Sequence, residues 1–79
     1  MPARPRPALG RPAPRRIVIN GEPVDTEART LADLLIEAGY ADAKVATARN
    51  GAFIAAKSRA DTLLEHGDVI EVVAPRAGG

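Results

Sequence analysis

Short β-branched runs alternate along the chain with tight-turn signals, and one stretch of helical spacing lies between them. Ile17-Val18-Ile19 is followed by Asn20-Gly21 and then by Glu22-Pro23-Val24-Asp25. Asn-Gly between apolar runs is the strongest short-range hairpin signal, because both turn positions need a positive φ. Pro23 has no N–H to give to a ladder, which predicts a second strand at a sheet edge. Thr30 precedes Leu31, with Asp33 three residues on, a capping-box-like start. Leu31, Leu34, Leu35 and Ala38 then recur at helical spacing, and Gly39 stands where a C′ glycine belongs. The spacing predicts one helix of about two and a half turns.

Residues 44–49 read as a strand, Asn50-Gly51 repeats the turn signal, and Ala52-Phe53-Ile54-Ala55 returns. Residues 60–65 have the apolar Leu63 and Leu64 of a short helical turn. Gly67-Asp68 leads into Val69-Ile70-Glu71-Val72-Val73-Ala74, the most β-prone run in the chain. The order is ββαββ(short turn)β. Two hairpins, a late strand and one amphipathic helix to cover a single face predict a small α+β roll.

Composition changes this picture at the N-terminus. Residues 1–16 hold five arginines (Arg4, Arg6, Arg11, Arg15, Arg16), five prolines and no acid, while the rest of the 79-residue chain carries −4. The net charge of +1 therefore describes a basic arm on an acidic body. The arm lacks hydrophobic periodicity, and its prolines fix φ and remove donors, so residues 1–16 are expected to be a disordered extension with polyproline II character. Clustered arginine would suit a nucleic-acid or acidic surface; a solvated extension is the plainer reading. The remainder divides into a folded domain, residues 17–75, and a flexible tail, residues 76–79.

Candidate chemistry is sparse. There is no cysteine and a single histidine, His66, so thiol nucleophiles, Cys-based zinc sites and His-dependent triads lack parts. Asp25 and Glu27 fall just ahead of the helix, where acids also favour its N-terminus. Glu65-His66-Gly67-Asp68 sets an imidazole among carboxylates but offers no second neutral ligand. No Gly-rich strand-to-helix turn with a following Lys forms a phosphate loop. Tyr40 and Phe53 are too few for a base-stacking platform. No apolar run approaches the ~20 residues of a membrane span, and a cytoplasmic protein is expected. What remains is Ala74-Pro75-Arg76-Ala77-Gly78-Gly79, two glycines closing a strand that ends a β-β-α-β-β-β order.

Ile19-Asn20-Gly21-Glu22, the helix Thr30-Leu31-Ala32-Asp33-Leu34-Leu35, Arg49-Asn50-Gly51, the run from Leu64 to Val73 and the terminal Gly78-Gly79 together resemble the ThiS sulfur carriers of thiamin thiazole synthesis. The likeness covers residues 17–79. Its specific part is the Gly-Asp-x-Ile-Glu-x-Val strand shortly before Gly-Gly. The family often has Val-Pro-Arg and an aromatic after its fourth strand, where this chain has Ile54-Ala55-Ala56-Lys57 and Ala60.

The resemblance implies a ubiquitin-like β-grasp fold and a protein cosubstrate rather than an enzyme. Gly79, preceded by Gly78, would accept sulfur at its carboxylate, and Arg76 and Ala77 would lie in a partner's channel. No cofactor would be bound; ATP would be used by a ubiquitin-activating-type adenylating enzyme. A persulfide donor such as a cysteine desulfurase would supply sulfur and thiazole synthase would receive it, with no part for a membrane, a metal or nucleic acid. Strand alternation turns Ile70 and Val72 toward the helix and Val69, Glu71 and Val73 outward, an apolar pair beside the tail that would serve partner docking. Val45 and Thr47 are expected to face inward. The acidic body would suit a positively charged partner groove. Other readings of the same features are a molybdopterin-synthase small subunit, a ubiquitin-like modifier joined through Gly79, and a nucleic-acid module using the arginine arm. The short segment between helix and third strand favours the thiazole carrier over the molybdopterin subunit.

Overall fold

A computed structural model describes residues 14–41 and 44–74 of the chain. Both Asn-Gly pairs form the tight turns their chemistry predicts. Asn20 and Gly21 have φ of 50° and 85°, and Asn50 and Gly51 have 52° and 86°, the two successive positive values of a type I′ hairpin. The first turn joins β1 (Arg15–Ile19) to β2 (Glu22–Thr26), and the second joins β3 (Ala46–Arg49) to β4 (Ala52–Ile54). A late strand, β5 (Val69–Val73), completes a five-stranded sheet in the order β2-β1-β5-β3-β4. β5 runs parallel to β1 and antiparallel to β3, so the sheet is mixed and β5 is its middle strand. Pro23 sits on β2, an edge strand, as its missing donor requires.

The helix α1 (Leu31–Glu37) crosses one face of this sheet. Thr30 caps it in an extended conformation, and its Oγ1 accepts from the Asp33 N–H at 3.1 Å. At the other end Tyr40 N donates to Leu35 O at 2.7 Å and Gly39 N to Ile36 O at 3.1 Å, with Gly39 at φ 94°. That pair of bonds is a Schellman motif, and it stops the helix at two turns. Leu31, Leu34 and Leu35 enter a core shared with Ile17, Leu64, Ile70 and Val72. Each such side chain contributes about 1.5–3 kcal/mol when removed from water. This is the β-grasp roll implied by the sequence resemblance.

The buried threonines find their partners in the backbone and in side chains at the margin of the core. Thr26, 2% exposed, donates from Oγ1 to Glu37 Oε1 and accepts from the Ala28 N–H at 2.9 Å. Thr47, also 2% exposed, donates to Ile54 O at 2.9 Å and accepts from Arg59 Nε at 3.2 Å. Thr47 thus faces inward and Val45 packs partly against the core, as expected.

Several boundaries differ from the sequence reading, and β4 and β5 each end one residue early, at Ile54 and Val73. β1 begins at Arg15, inside the stretch assigned to the extension, because Arg15 pairs with Thr26 and Arg16 with Asp25. β3 starts at Ala46 rather than at residue 44. The helical turn expected over residues 60–65 is a 3-10 helix at Ala56–Asp61. Beyond it the chain is extended. Leu31 N donates to Thr62 O and Leu64 N to Arg29 O, each at 2.9 Å, which turns Leu64 into the core and leaves Leu63 outside. Helical winding of those residues would break both bonds and withdraw Leu64.

Candidate functional site

Alternation divides β5 into two faces. Ile70 and Val72 are buried, while Val69, Glu71 and Val73 are exposed, as the residue pattern predicts. Neighbouring strands extend the outer face. Val69 lies beside Val18 of β1; Glu71 lies beside Ala48, which in turn faces Phe53 of β4; and Val73 lies beside Ala46. Phe53 is 71% exposed and Val73 is 63% exposed, so over β5, β3 and β4 the sheet face opposite α1 is largely apolar around Glu71, while the exposed Arg16–Asp25 pair occupies the same face on β1 and β2. Sequence reasoning weighed Phe53 only as a stacking platform. The tight Asn50-Gly51 turn fixes the register of its hairpin, and that register places Phe53 opposite Ala48 on the outer face.

β5 is braced at both ends by the asparagines of the two turns. Asn50 N donates to Val69 O at 2.7 Å, and Asn50 Oδ1 accepts from Val69 N at 2.8 Å. Asn20 Oδ1 accepts from Val72 N at 2.8 Å. The sequence reading gave these residues a turn role alone. Their amides also supply acceptors that the neighbouring strands do not reach.

Asp68, at the entrance to β5, is 5% exposed and gathers four donors. Arg49 Nε and Nη2 approach it at 2.7 and 3.3 Å, Asn50 Nδ2 at 3.0 Å and the Glu65 N–H at 2.8 Å. Burial pushes the Asp68 carboxyl up, but the bonds from Arg49, Glu65 and Asn50, with the guanidinium's charge, outweigh it and hold the group below the usual aspartate range. Asp68 is therefore a structural acid. His66, its neighbour, accepts at Nδ1 from the Arg16 N–H at 3.2 Å, and Gly67 N donates to Arg16 O at 2.8 Å. Glu65-His66-Gly67-Asp68 thus ties β1 to β5. Asp25 lies in β2 and pairs with Arg16 at 2.8 Å; the Arg16 hydrogen bond holds its carboxyl below the usual range. Both side chains of that pair are mostly exposed, where such pairs contribute little.

The sequence-predicted tail, Arg76, Ala77, Gly78 and Gly79, lies outside the described residues. β5 runs to Val73, with Ala74 the last residue described before it. Among the described residues no three His, Cys, Asp or Glu side chains gather as a metal site. No helix among them is long and apolar enough to cross a membrane.

The chain matches the ThiS family over residues 12–79. Among solved structures it is similar to the thiamine biosynthesis protein ThiS of Geobacter metallireducens, with a TM-score of 0.67 and 25% sequence identity. That likeness covers 81% of this chain and 99% of the other. No curated protein matches the chain. The family match takes in every element of the sheet and the helix, and the solved structure shares their arrangement: the chain belongs to the ThiS family of β-grasp sulfur carriers.

Proposed function

We propose that this protein carries sulfur for thiamin thiazole formation, with the carboxylate of Gly79 as the loading point. The observation that carries this reading is the placement of β5. The middle strand of the sheet, paired on both sides and braced at both ends, leads directly into Pro75-Arg76-Ala77-Gly78-Gly79. Five residues span at most ~17 Å when extended, enough to enter a partner's active site while the body stays outside. Glycine suits the last two positions because the absence of Cβ lets backbone approach closely in a narrow channel.

The chemistry follows from the carboxylate. With a pKa of ~3.5 it is an anion at neutral pH and a poor electrophile. A ubiquitin-activating-type enzyme transfers AMP from ATP to Gly79 and releases pyrophosphate. The terminal sulfur of a partner's persulfide, furnished by a donor such as a cysteine desulfurase, displaces AMP. A thiol then cleaves the resulting acyl disulfide and leaves a thiocarboxylate, from which thiazole synthase takes sulfur. Gly78, Ala77 and Arg76 occupy the partner's channel. Val69, Glu71 and Val73 form the docking face, and exposed Phe53 extends it with the kind of aromatic side chain that often dominates interface energy. The chain is a cosubstrate and the catalytic groups belong to its partners.

The test is mass spectrometry of the intact protein after incubation with ATP, the cognate adenylating enzyme and a persulfide donor. Sulfur-for-oxygen exchange at Gly79 is expected. Attachment to lysines instead would make the chain a modifier. Deleting Gly79 should abolish AMP transfer while leaving the circular dichroism spectrum unchanged; AMP transfer to that truncation refutes the proposal.

A further inference from the structure

We infer that the groove between α1 and the 3-10 helix is a second docking site, which receives a segment of a partner protein bearing an aliphatic side chain with a carboxylate beside it. The chemistry of the groove stands on its own residues; the choice of partner rests on the carrier reading above.

The groove holds about 240 Å³. Leu35 and Ile36 line it from α1 and Ala56 and Ala60 from the 3-10 helix, with Tyr40 and Arg59 also in the lining. The small alanine side chains leave the space open, and Ile36 is 63% exposed beside them. Small-molecule pockets run to ~300–1,000 Å³ and bury most of their ligand, so this space suits the side chains of a docked segment rather than a whole ligand.

Arg59 gives the groove its charge. Its Nε donates to Thr47 Oγ1 at 3.2 Å and its Nη2 to Val45 O at 2.6 Å, which holds the half-buried guanidinium in place. A neutral donor would satisfy both acceptors, so the positive charge is surplus to them. Arg16 and Arg49 each pair with an aspartate, whereas among the described residues no carboxylate meets Arg59 and its Nη1 donates to nothing. A fixed guanidinium with spare donors beside apolar walls is complementary to a carboxylate next to an aliphatic group. The same charge disfavours the chain's own arm as the occupant, since residues 1–16 hold five arginines and no acid.

Placement selects the partner. The groove borders α1, on the side of the sheet away from Val69, Glu71, Val73 and Phe53, so a protein seated in it leaves the outer face free. In the carrier reading the acyl-adenylate of Gly79 forms within the adenylating enzyme, and the persulfide must reach it there. The persulfide donor therefore meets the body when its outer face is already covered, and the groove is the surface left to it.

Two variants and a probe test this. Arg59→Gln keeps a donor for Val45 O and removes the charge; Ala60→Leu fills the groove and leaves Arg59 alone. Unchanged circular dichroism is expected for both. The probe is isocaproate, an isobutyl group joined to a carboxylate, with isocaproamide as its neutral counterpart, each titrated into the isotope-labelled full chain. Saturable NMR shifts of isocaproate are expected at the Ile36 and Ala60 amides and at Arg59 Nε. Loss of the charged hydrogen bond should weaken isocaproamide, and isocaproate on Arg59→Gln, at least about tenfold. Affinity for the purified persulfide donor, measured with ATP and the adenylating enzyme present, should fall about tenfold in both variants while the KM for adenylation stays within about twofold. Absence of saturable shifts at the groove, equal binding of acid and amide, or unchanged donor affinity in Ala60→Leu overturns the inference. Self-association of the isolated chain that Arg59→Gln abolishes gives the groove to a second copy and overturns it as well. If isocaproate binds as expected but the unmodified chain accepts no AMP, the carrier reading falls and the choice of donor falls with it.

Discussion

Replacing Asp68 with asparagine keeps the shape of the side chain and removes its charge, at a site where that charge gathers four donors. One carboxylate oxygen accepts from Arg49 Nε at 2.7 Å and the Glu65 N–H at 2.8 Å; the other accepts from Asn50 Nδ2 at 3.0 Å and Arg49 Nη2 at 3.3 Å. An amide has a single acceptor oxygen, so in either orientation its NH2 faces two donors. Breaking a buried ion pair costs about 3–5 kcal/mol. Here the Arg49 side chain is 27% exposed and can recover some hydration, which brings the expected loss to about 2–4 kcal/mol. A body of this size is stable by only about 3–9 kcal/mol, so the melting temperature should drop by at least ~10 °C. Thermal and urea unfolding of Asp68→Asn, Arg49→Met and the double variant measure the loss, and a coupling of at least ~1 kcal/mol is expected. The pH dependence gives an independent check. Because the folded Asp68 pKa is lowered, its contribution is full above the unfolded value of ~3.9 and is lost as pH falls through the folded value. The advantage over Asp68→Asn should therefore shrink below about pH 4. A loss under ~0.5 kcal/mol at neutral pH, or a difference that stays constant into acid, refutes the reasoning.

Two further outcomes follow from the geometry. Gly39→Ala forces a side chain onto φ 94° at a position where the added Cβ meets no heavy atom within 4 Å, so the cost is backbone strain alone. About 1–2 kcal/mol is expected, read as a lower urea midpoint with unchanged m value. On the outer face, Val69→Ser with Val73→Ser removes apolar area without altering charge. The melting temperature should move by only a few degrees, as for exposed positions generally. The KM for adenylation should rise about tenfold, the loss expected when apolar contact area at an interface is trimmed.

Local chemistry made much of this fold legible. Asn20-Gly21 and Asn50-Gly51 demand positive φ, Thr30 and Gly39 bracket the helix, Pro23 excludes a central strand, and Val69 to Val73 alternate. What stayed hidden depends on distant partners. Nothing near Asp68 in sequence announces Arg49, 19 residues earlier, and nothing near Val72 announces the amide of Asn20. Leu63 and Leu64 read as a helical pair, yet the 3-10 helix lies before them, because bonds from Leu31 and Leu64 to distant carbonyls hold that segment extended. The place of Phe53 on the outer face is hidden for a related reason: it is fixed by register with Ala48, not by composition. The family likeness rested on Gly-Asp-x-Ile-Glu-x-Val and Gly-Gly, and the family match over residues 12–79 bears it out.

The parallel pairing of the first and last strands has a practical corollary. Val18 stands beside Val69, so the polypeptide enters the sheet at one pole and departs at the other. Arg15 and Val73 are separated by about seven strand residues along that direction, roughly 23 Å. A fluorophore, an affinity handle or a second domain grafted ahead of Pro14 would therefore join the sheet at the pole away from Val73, the end of β5 that precedes the proposed loading point. Had those strands run in opposite senses, the graft and the far end of β5 would have been crowded side by side.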